Sequence, residues 1–258
     1  MSRIVTAFDH GKALIPYFTC GDPSLDLTRE LVFAAAEAGA DLIELGIPFS
    51  DPMAEGSVIM EASARALASG ATTEKIFDLV RDLRKELSIP MVFMTYANVL
   101  FSYGIERFAS VSRDIGIDGF ILPDVPFEEK EEFAAAAGKY GRDLISLIAP
   151  TSKERITMIA REAEGFLYCV SSLGVTGVRS RLTGDVGEMV RAAKEVTDIP
   201  CAVGFGISGP EQAARMAECA DGVIVGSAFM KLVAEYGNGA VPYVRKFAGE
   251  LKDAIRAL

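Results

Sequence analysis

Eight short apolar runs recur along the chain, each followed by a stretch of different periodicity, and this alternation sharply limits the available folds. The runs are ALIPYFT from Ala13, DLIELG from Asp41, PMVFMTY from Pro90 and DGFILPD from Asp118. They continue with DLISLIA from Asp143, FLYCVS from Phe166, CAVGFG from Cys201 and DGVIVG from Asp221. Each is nearly continuously apolar, as a strand covered on both faces must be. Between them, LTRELVFAAAEAG, IERFASVSRDIG and KERITMIAREAEG place apolar residues at three- and four-residue steps, the helical pattern. EAGADLIEL, DIGIDGFIL and ECADGVIV each leave a helix, turn on small residues and enter a strand through Asp, while SIPMVF and DIPCAV enter through Ile-Pro. This repetition predicts an α/β fold in which eight strands and eight returning helices close into a single (β/α)8 TIM barrel. An open doubly wound sheet is the competing arrangement. No linker or compositional step divides the chain, so residues 1–258 read as one domain.

Several functions are disfavoured before any site is sought. The formal charge of −10 is spread along the chain, and such a surface repels nucleic acid and anionic lipid. Although half the residues are apolar, no uninterrupted apolar stretch approaches the ~18 residues of a membrane span. The N-terminus, MSRIVTAFDHGKALIPYF, carries charges where a signal peptide needs an apolar run. Cys20, Cys169, Cys201 and Cys219 form no C-x-x-C pair and sit in apolar contexts, which reads as reduced, space-filling thiols of a cytoplasmic protein. With His10 the only histidine, neither a zinc cluster nor a His-based triad can be drawn. None of the eight runs contains a lysine, so a Schiff base at a strand end is not expected either. The reading therefore expects no metal and no cofactor.

In a barrel the chemistry sits on loops that follow the C-terminal ends of the strands. The stretch ELGIPFSDPMAEGSVIM, Glu44 to Met60, is such a loop, long and polar, and it begins with an acid at the end of an apolar run. Glu44 is expected at the barrel mouth, with Tyr17, Met94, Tyr96 and Ile121 around it as apolar surface. An acid so placed has its ionisation disturbed in the sense that proton transfer near neutral pH requires. Asp51 and Glu55 lie over the same mouth. Glu55 directly precedes Gly56 and a helical run, so it reads either as a second working carboxylate or as a helix cap. The run EEKEEF from Glu128 reads as a solvated helix face.

Two small-residue turns, GFGISGPEQ after the Cys201 run and GSAFMK after the Asp221 run, feed helix N-termini, where free N–H groups attract an anion. SSLGVTGVRS adds Thr176 and Gly177 from the neighbouring loop. These positions suit a phosphate, which amides can hold without a lysine. The other reading is that Gly204, Gly206 and Gly226 only ease tight turns.

LIPYFTCGDPS, ELGIPFSDPMAEG, YANVLFSYG, PDVPFEE, SSLGVTG, GFGIS and VGSAFMK, taken in order, resemble the tryptophan synthase alpha subunit family from about Leu14 to Lys231. The resemblance implies a (β/α)8 barrel that cleaves indole-3-glycerol phosphate to indole and glyceraldehyde 3-phosphate in tryptophan biosynthesis. It also implies a beta subunit as partner in an alpha2-beta2 assembly. It places Glu44 at the family's principal acid/base position, and Glu55 where the family has an assisting aspartate. Tyr17, Met94, Ile121, Leu147, Tyr168 and Phe205 match positions lining the indole pocket. Gly177, Phe205, Gly206, Gly226 and Ser227 match positions around the phosphate. Pro48, Asp51, Asn98, Phe101, Asp124 and Pro126 lie on loops that face the beta subunit in the family. The chain departs from the family pattern in its AEGS loop, with Glu55 for the usual Asp and Ser57 for the usual Pro, and in Ser172 for the usual Arg. Two other readings remain open: a catalytically weak, phosphate-binding regulatory partner of the beta subunit, and a free-standing lyase that releases indole.

Overall fold

The computed structural model describes residues 2–170, 182–204 and 206–256. The eight apolar runs form eight parallel strands: β1 Ala13–Thr19, β2 Ile43–Gly46, β3 Met91–Met94, β4 Gly119–Ile121, β5 Asp143–Ile148, β6 Leu167–Val170, β7 Cys201–Gly204 and β8 Gly222–Val225. They pair in chain order, and β8 pairs back onto β1 to close the barrel. Closure rules out the open sheet.

The helices are α1 Leu25–Glu37, α2 Ser57–Ala68, α3 Thr73–Leu83, α4 Ala97–Tyr103, α5 Ile105–Ile115, α6 Glu131–Lys139, α7 Lys153–Arg161, α8 Leu182–Lys194, α9 Pro210–Ala217, α10 Ser227–Tyr236 and α11 Val241–Arg256. Among the described residues, the connections after β2, β3 and β8 thus carry two helices each rather than the expected one. Side-chain caps start several of them: Ser24 accepts from the Leu27 N–H and Ser152 from the Arg155 N–H. Between sheet and helices the core is aromatic. Phe77 of α3 packs on Phe93 of β3 at 5.7 Å and on Phe108 of α5 at 5.3 Å, and Phe108 reaches Phe120 of β4 at 5.4 Å.

The repeated aspartate at the strand entries has a physical explanation. Asp41, Asp118 and Asp221 each stand just before a strand and exchange two hydrogen bonds with one residue of the preceding strand. The Asp41 N–H donates to the Leu14 carbonyl at 3.0 Å, and the Leu14 N–H donates back to the Asp41 carboxylate at 2.7 Å. Asp118 does the same with Met91, at 2.8 and 2.9 Å, and Asp221 with Cys201, at 2.8 and 2.8 Å. Each carboxylate also meets a cation: Lys252 at 2.6 Å, Arg84 at 2.8 Å and Lys194 at 2.8 Å respectively. The two Ile-Pro entries supply acceptors instead, since the Ile43 N–H donates to the Pro90 carbonyl and the Leu167 N–H to the Pro200 carbonyl. The N-terminal rim of the barrel is therefore stitched strand to strand, leaving the opposite rim free for chemistry.

Candidate active site

β1, β2 and β3 bring Tyr17, Glu44 and Val92 into register, and one level nearer the mouth Thr19, Gly46 and Met94 line up with Ile121 of β4. Glu44 is fully buried, and among the described residues neither of its carboxyl oxygens has a hydrogen-bond partner. Among the described residues no salt bridge reaches it. Burial, reinforced by the charge of Glu55, pushes the Glu44 carboxyl up from its ordinary 4.5 to about 8.

The loop from Ile47 to Gly56 is tied down at both ends while its middle is exposed. At its root the Ile47 N–H donates to the Met94 carbonyl at 2.9 Å, and the Thr95 hydroxyl donates to the Ile47 carbonyl at 3.3 Å. Phe49 stacks on the Tyr96 ring at 5.1 Å, and the Ala54 N–H donates to the Tyr96 hydroxyl at 3.1 Å. Met53, between these ties, is 91% exposed. Tyr96 thus anchors the loop as well as walling the site. Its own hydroxyl is pushed up to about 12, mainly by burial.

Tethered in this way, Glu55 turns inward. Its Oε2 is buried without a hydrogen-bond partner among the described residues, and burial raises its carboxyl to about 7. The capping reading fails. The N-cap of α2 is Gly56, and no side chain caps it. Tyr17 and Tyr168, both buried, complete the polar environment, since burial and the charges of Glu44 and Glu55 hold both hydroxyls well above the ordinary range. The two rings require glycine beside them: a Cβ on Gly46 would overlap Tyr17, and one on Gly204 would overlap Tyr168. Gly204 is therefore a packing glycine, and Gly206, at φ +78°, is a turn glycine whatever it binds.

Met94, Tyr96 and Ile121 are buried around the mouth, as is Tyr168, while Leu147 is half-buried. Gly226, the N-cap of α10, is half-buried, and Ser227, the first residue of that helix, and Gly206 after β7 are exposed. Thr176, Gly177 and Phe205 lie outside the described residues. Of the loop positions expected to face a partner, Asp51, Asn98, Phe101, Asp124 and Pro126 are exposed. Pro48 is buried at the root of the Ile47–Gly56 loop. Asp124 also accepts the Ala97 N–H at 3.1 Å, fixing the start of α4. The EEKEEF run is more than a solvated face. Glu128 pairs with Arg155 through both carboxylate oxygens, and Lys130 lies over the Phe127 ring at 4.2 Å. Both cations line a cavity of about 210 Å³ that also touches Leu147 and Pro126 but stops short of Glu44. Sequence reasoning overlooked Thr19 and Phe49. Thr19 could have been found as the residue two beyond Tyr17 on the same strand face.

The family model described as "Tryptophan synthase alpha chain" matches residues 6–256. The chain is 44% identical over 257 residues to the tryptophan synthase alpha chain of Lacticaseibacillus casei, covering 100% of this chain and 97% of that one. Its structure superposes on that of tryptophan synthase subunit alpha from Legionella pneumophila str. Paris with a TM-score of 0.91 and 37% identity, covering 100% of both. It also superposes, at TM-score 0.86 and 36% identity, on a chain of the tryptophan synthase a2b2 complex from Pyrococcus furiosus, covering 95% of this chain and 99% of that one.

Proposed function

The chain belongs to the tryptophan synthase alpha chain family, whose members are lyases that cleave indole-3-glycerol phosphate, and from that premise we propose that Glu44 and Glu55 carry the reaction here. The observation that supports this most is Glu44 itself, a buried carboxyl on β2 one level below the mouth, with no hydrogen-bond partner among the described residues. A group left in that state costs stability, and its raised pKa makes it useful.

The protons balance as follows. Glu44, protonated at neutral pH, gives its proton to C3 of the indole ring, and the ring becomes an indolenine cation. The resulting carboxylate takes the proton from the hydroxyl on the adjoining chain carbon. The bond between that carbon and C3 breaks, its electrons return to the ring, and glyceraldehyde 3-phosphate and indole part. Glu44 ends as it began. Glu55, ionised, opposes the positive charge that develops at the ring N–H, an interaction strengthened in a site that excludes water. Met94, Ile121, Leu147 and Tyr168, with Phe205, supply the apolar walls for the ring. Gly206, Gly226 and Ser227, with Thr176 and Gly177, offer backbone N–H groups and a helix terminus to the phosphate.

The partner is a tryptophan synthase beta chain in an alpha2-beta2 assembly. It docks on the exposed loop surface of Asp51, Asn98, Phe101, Asp124 and Pro126, with Pro48 at the root of the Ile47–Gly56 loop. Residues 1–258 act as one domain, and the four free thiols suit the cytoplasm. The inward-turned Glu55 favours this reading over a catalytically weak regulatory barrel. Indole release by the purified protein, measured with and without a beta chain, tests it. Substrate binding without any indole release in either case would favour the regulatory reading, and full release without a beta chain the free-standing lyase.

A further inference from the structure

The proton chemistry proposed for Glu44 leaves one pair of buried hydroxyls unused. Tyr17 and Thr19 stand two residues apart on one face of β1, with their hydroxyl oxygens 3.2 Å from each other. Both are buried, at 6% and 1% exposure. Two hydroxyls bonded to each other use one hydrogen and leave the other to be placed, and among the described residues neither oxygen has a further partner. Burial, reinforced by the charge of Glu55, keeps the Tyr17 hydroxyl protonated and able to donate.

Their position in the ring gives the pair its meaning. β1 lies between β8 and β2 in the closed barrel. Pro16 pairs with Val225, so Tyr17 stands level with Gly226 on one side, and it pairs directly with Glu44 on the other. A Cβ on Gly226 would lie 3.3 Å from the Tyr17 Cβ, while a Cβ on Gly46 would overlap the hydroxyl end of the ring. The tyrosine therefore runs from beside Gly226 across to Gly46 on β2, one level nearer the mouth than Glu44, and the hydroxyl pair lies on the mouth side between the candidate phosphate cradle and the candidate acid.

A substrate held by its phosphate at β8 and protonated on its ring beside β2 must cross that interval with its glycerol chain. The chain carries two hydroxyls. One, next to the ring, loses its proton to Glu44. The other, on the middle carbon, takes no part in bond breaking and still needs a partner in a dry site. We propose that the Tyr17–Thr19 hydroxyl pair binds this middle hydroxyl and makes the site selective for a glycerol phosphate chain over a plain alkyl phosphate. The inference rests on the lyase reading above and adds a specificity determinant to it.

Three ligands and two near-isosteric variants test this: indole-3-glycerol phosphate, its analogue without the middle hydroxyl, and indole on an unhydroxylated propyl phosphate chain. Tyr17→Phe should lower kcat/KM for the full substrate by roughly 10- to 10²-fold, and Thr19→Val should do likewise. Each should leave affinity for the propyl phosphate compound unchanged. The native protein should lose a similar factor on the deoxy analogue, and Tyr17→Phe should add little to that loss. An equal loss on all three ligands would make Tyr17 a packing residue only, and fully multiplying losses would place the middle hydroxyl elsewhere. Unchanged kcat/KM in both variants would also overturn the inference while leaving the lyase reading intact. A native protein that releases no indole would overturn both.

Discussion

Glu44 and Glu55, eleven residues apart in the chain, lie close enough in the barrel mouth that the charge on Glu55 adds to burial in raising the Glu44 carboxyl to about 8. Burial raises Glu55 itself to about 7. They titrate as a pair, and the pair shapes the pH dependence. The reaction needs Glu44 protonated and Glu55 ionised, so kcat/KM should fall below about pH 7 and above about pH 8. Glu55→Gln removes the charge that helps hold the Glu44 proton, and the basic limb should then move to lower pH. A basic limb that stays in place in this variant would show that the two carboxyls do not interact.

Glu44→Gln keeps the shape but moves no proton, so turnover should fall by at least ~10²-fold with ligand affinity little changed. The same change should alter stability with a definite sign. The folded state keeps the Glu44 proton up to about pH 8, whereas the unfolded chain releases it near 4.5. Between those values the native state binds more protons, so native stability falls as pH rises. The variant lacks this slope. Its stability relative to the native protein should therefore climb from pH 4.5 to pH 8, by at most a few kcal/mol (~1.4 per unit). Urea unfolding at both ends of the window measures it, and a flat difference would place Glu44 in a solvated environment.

Glu55→Ala separates two roles cleanly. A lost helix cap would cost ~1 kcal/mol of stability, but Gly56 is the N-cap of α2 and no side chain caps it. The melting temperature should therefore hold or rise, while turnover falls by about 10²-fold. Glu55→Asp shortens the reach by one methylene and should lower turnover modestly. Full activity in the alanine variant would leave Glu44 to work alone.

Gly226→Asp should weaken binding of glycerol phosphate by roughly 2–4 kcal/mol. The substitution adds a negative charge at the start of α10, and its Cβ comes within 3.3 Å of Tyr17. Titration calorimetry of the folded variant decides the matter, and native affinity would move the phosphate elsewhere on the rim.

Asp118→Ala should be among the most damaging changes away from the mouth. It leaves the Met91 N–H and the largely buried Arg84 guanidinium without their carboxylate. Breaking a buried pair from one side typically costs about 3–5 kcal/mol. Chemical denaturation measures the loss, and a cost under ~1 kcal/mol would mean that water replaces the carboxylate at the rim.

The sequence by itself determined the eight strands and their order and pointed to a candidate site at the barrel mouth, but not the second helix after β2, β3 and β8. Nearly continuous apolar runs such as MVFM and GVIV are strands buried on both faces, and an acid inside one of them, Glu44 of β2, stands out as a candidate for the barrel interior. That information is local, carried by periodicity within a few residues. The aspartate at the strand entries was legible as a repetition, but its purpose was not, because Asp41 and Asp118 each bond a strand residue 27 positions earlier. The glycine of GFGIS illustrates the same limit: Gly204 accommodates the ring of Tyr168 from the neighbouring strand. Only the tertiary structure decided that β8 closes onto β1, that Glu55 points inward instead of capping α2, and that the Tyr17 and Thr19 hydroxyls stand between Gly226 and Glu44. It also decided how far Glu44 resists ionisation. Such a shift depends on water excluded and charge brought near by residues distant in the chain, and no reading of neighbours along the sequence contains those distances.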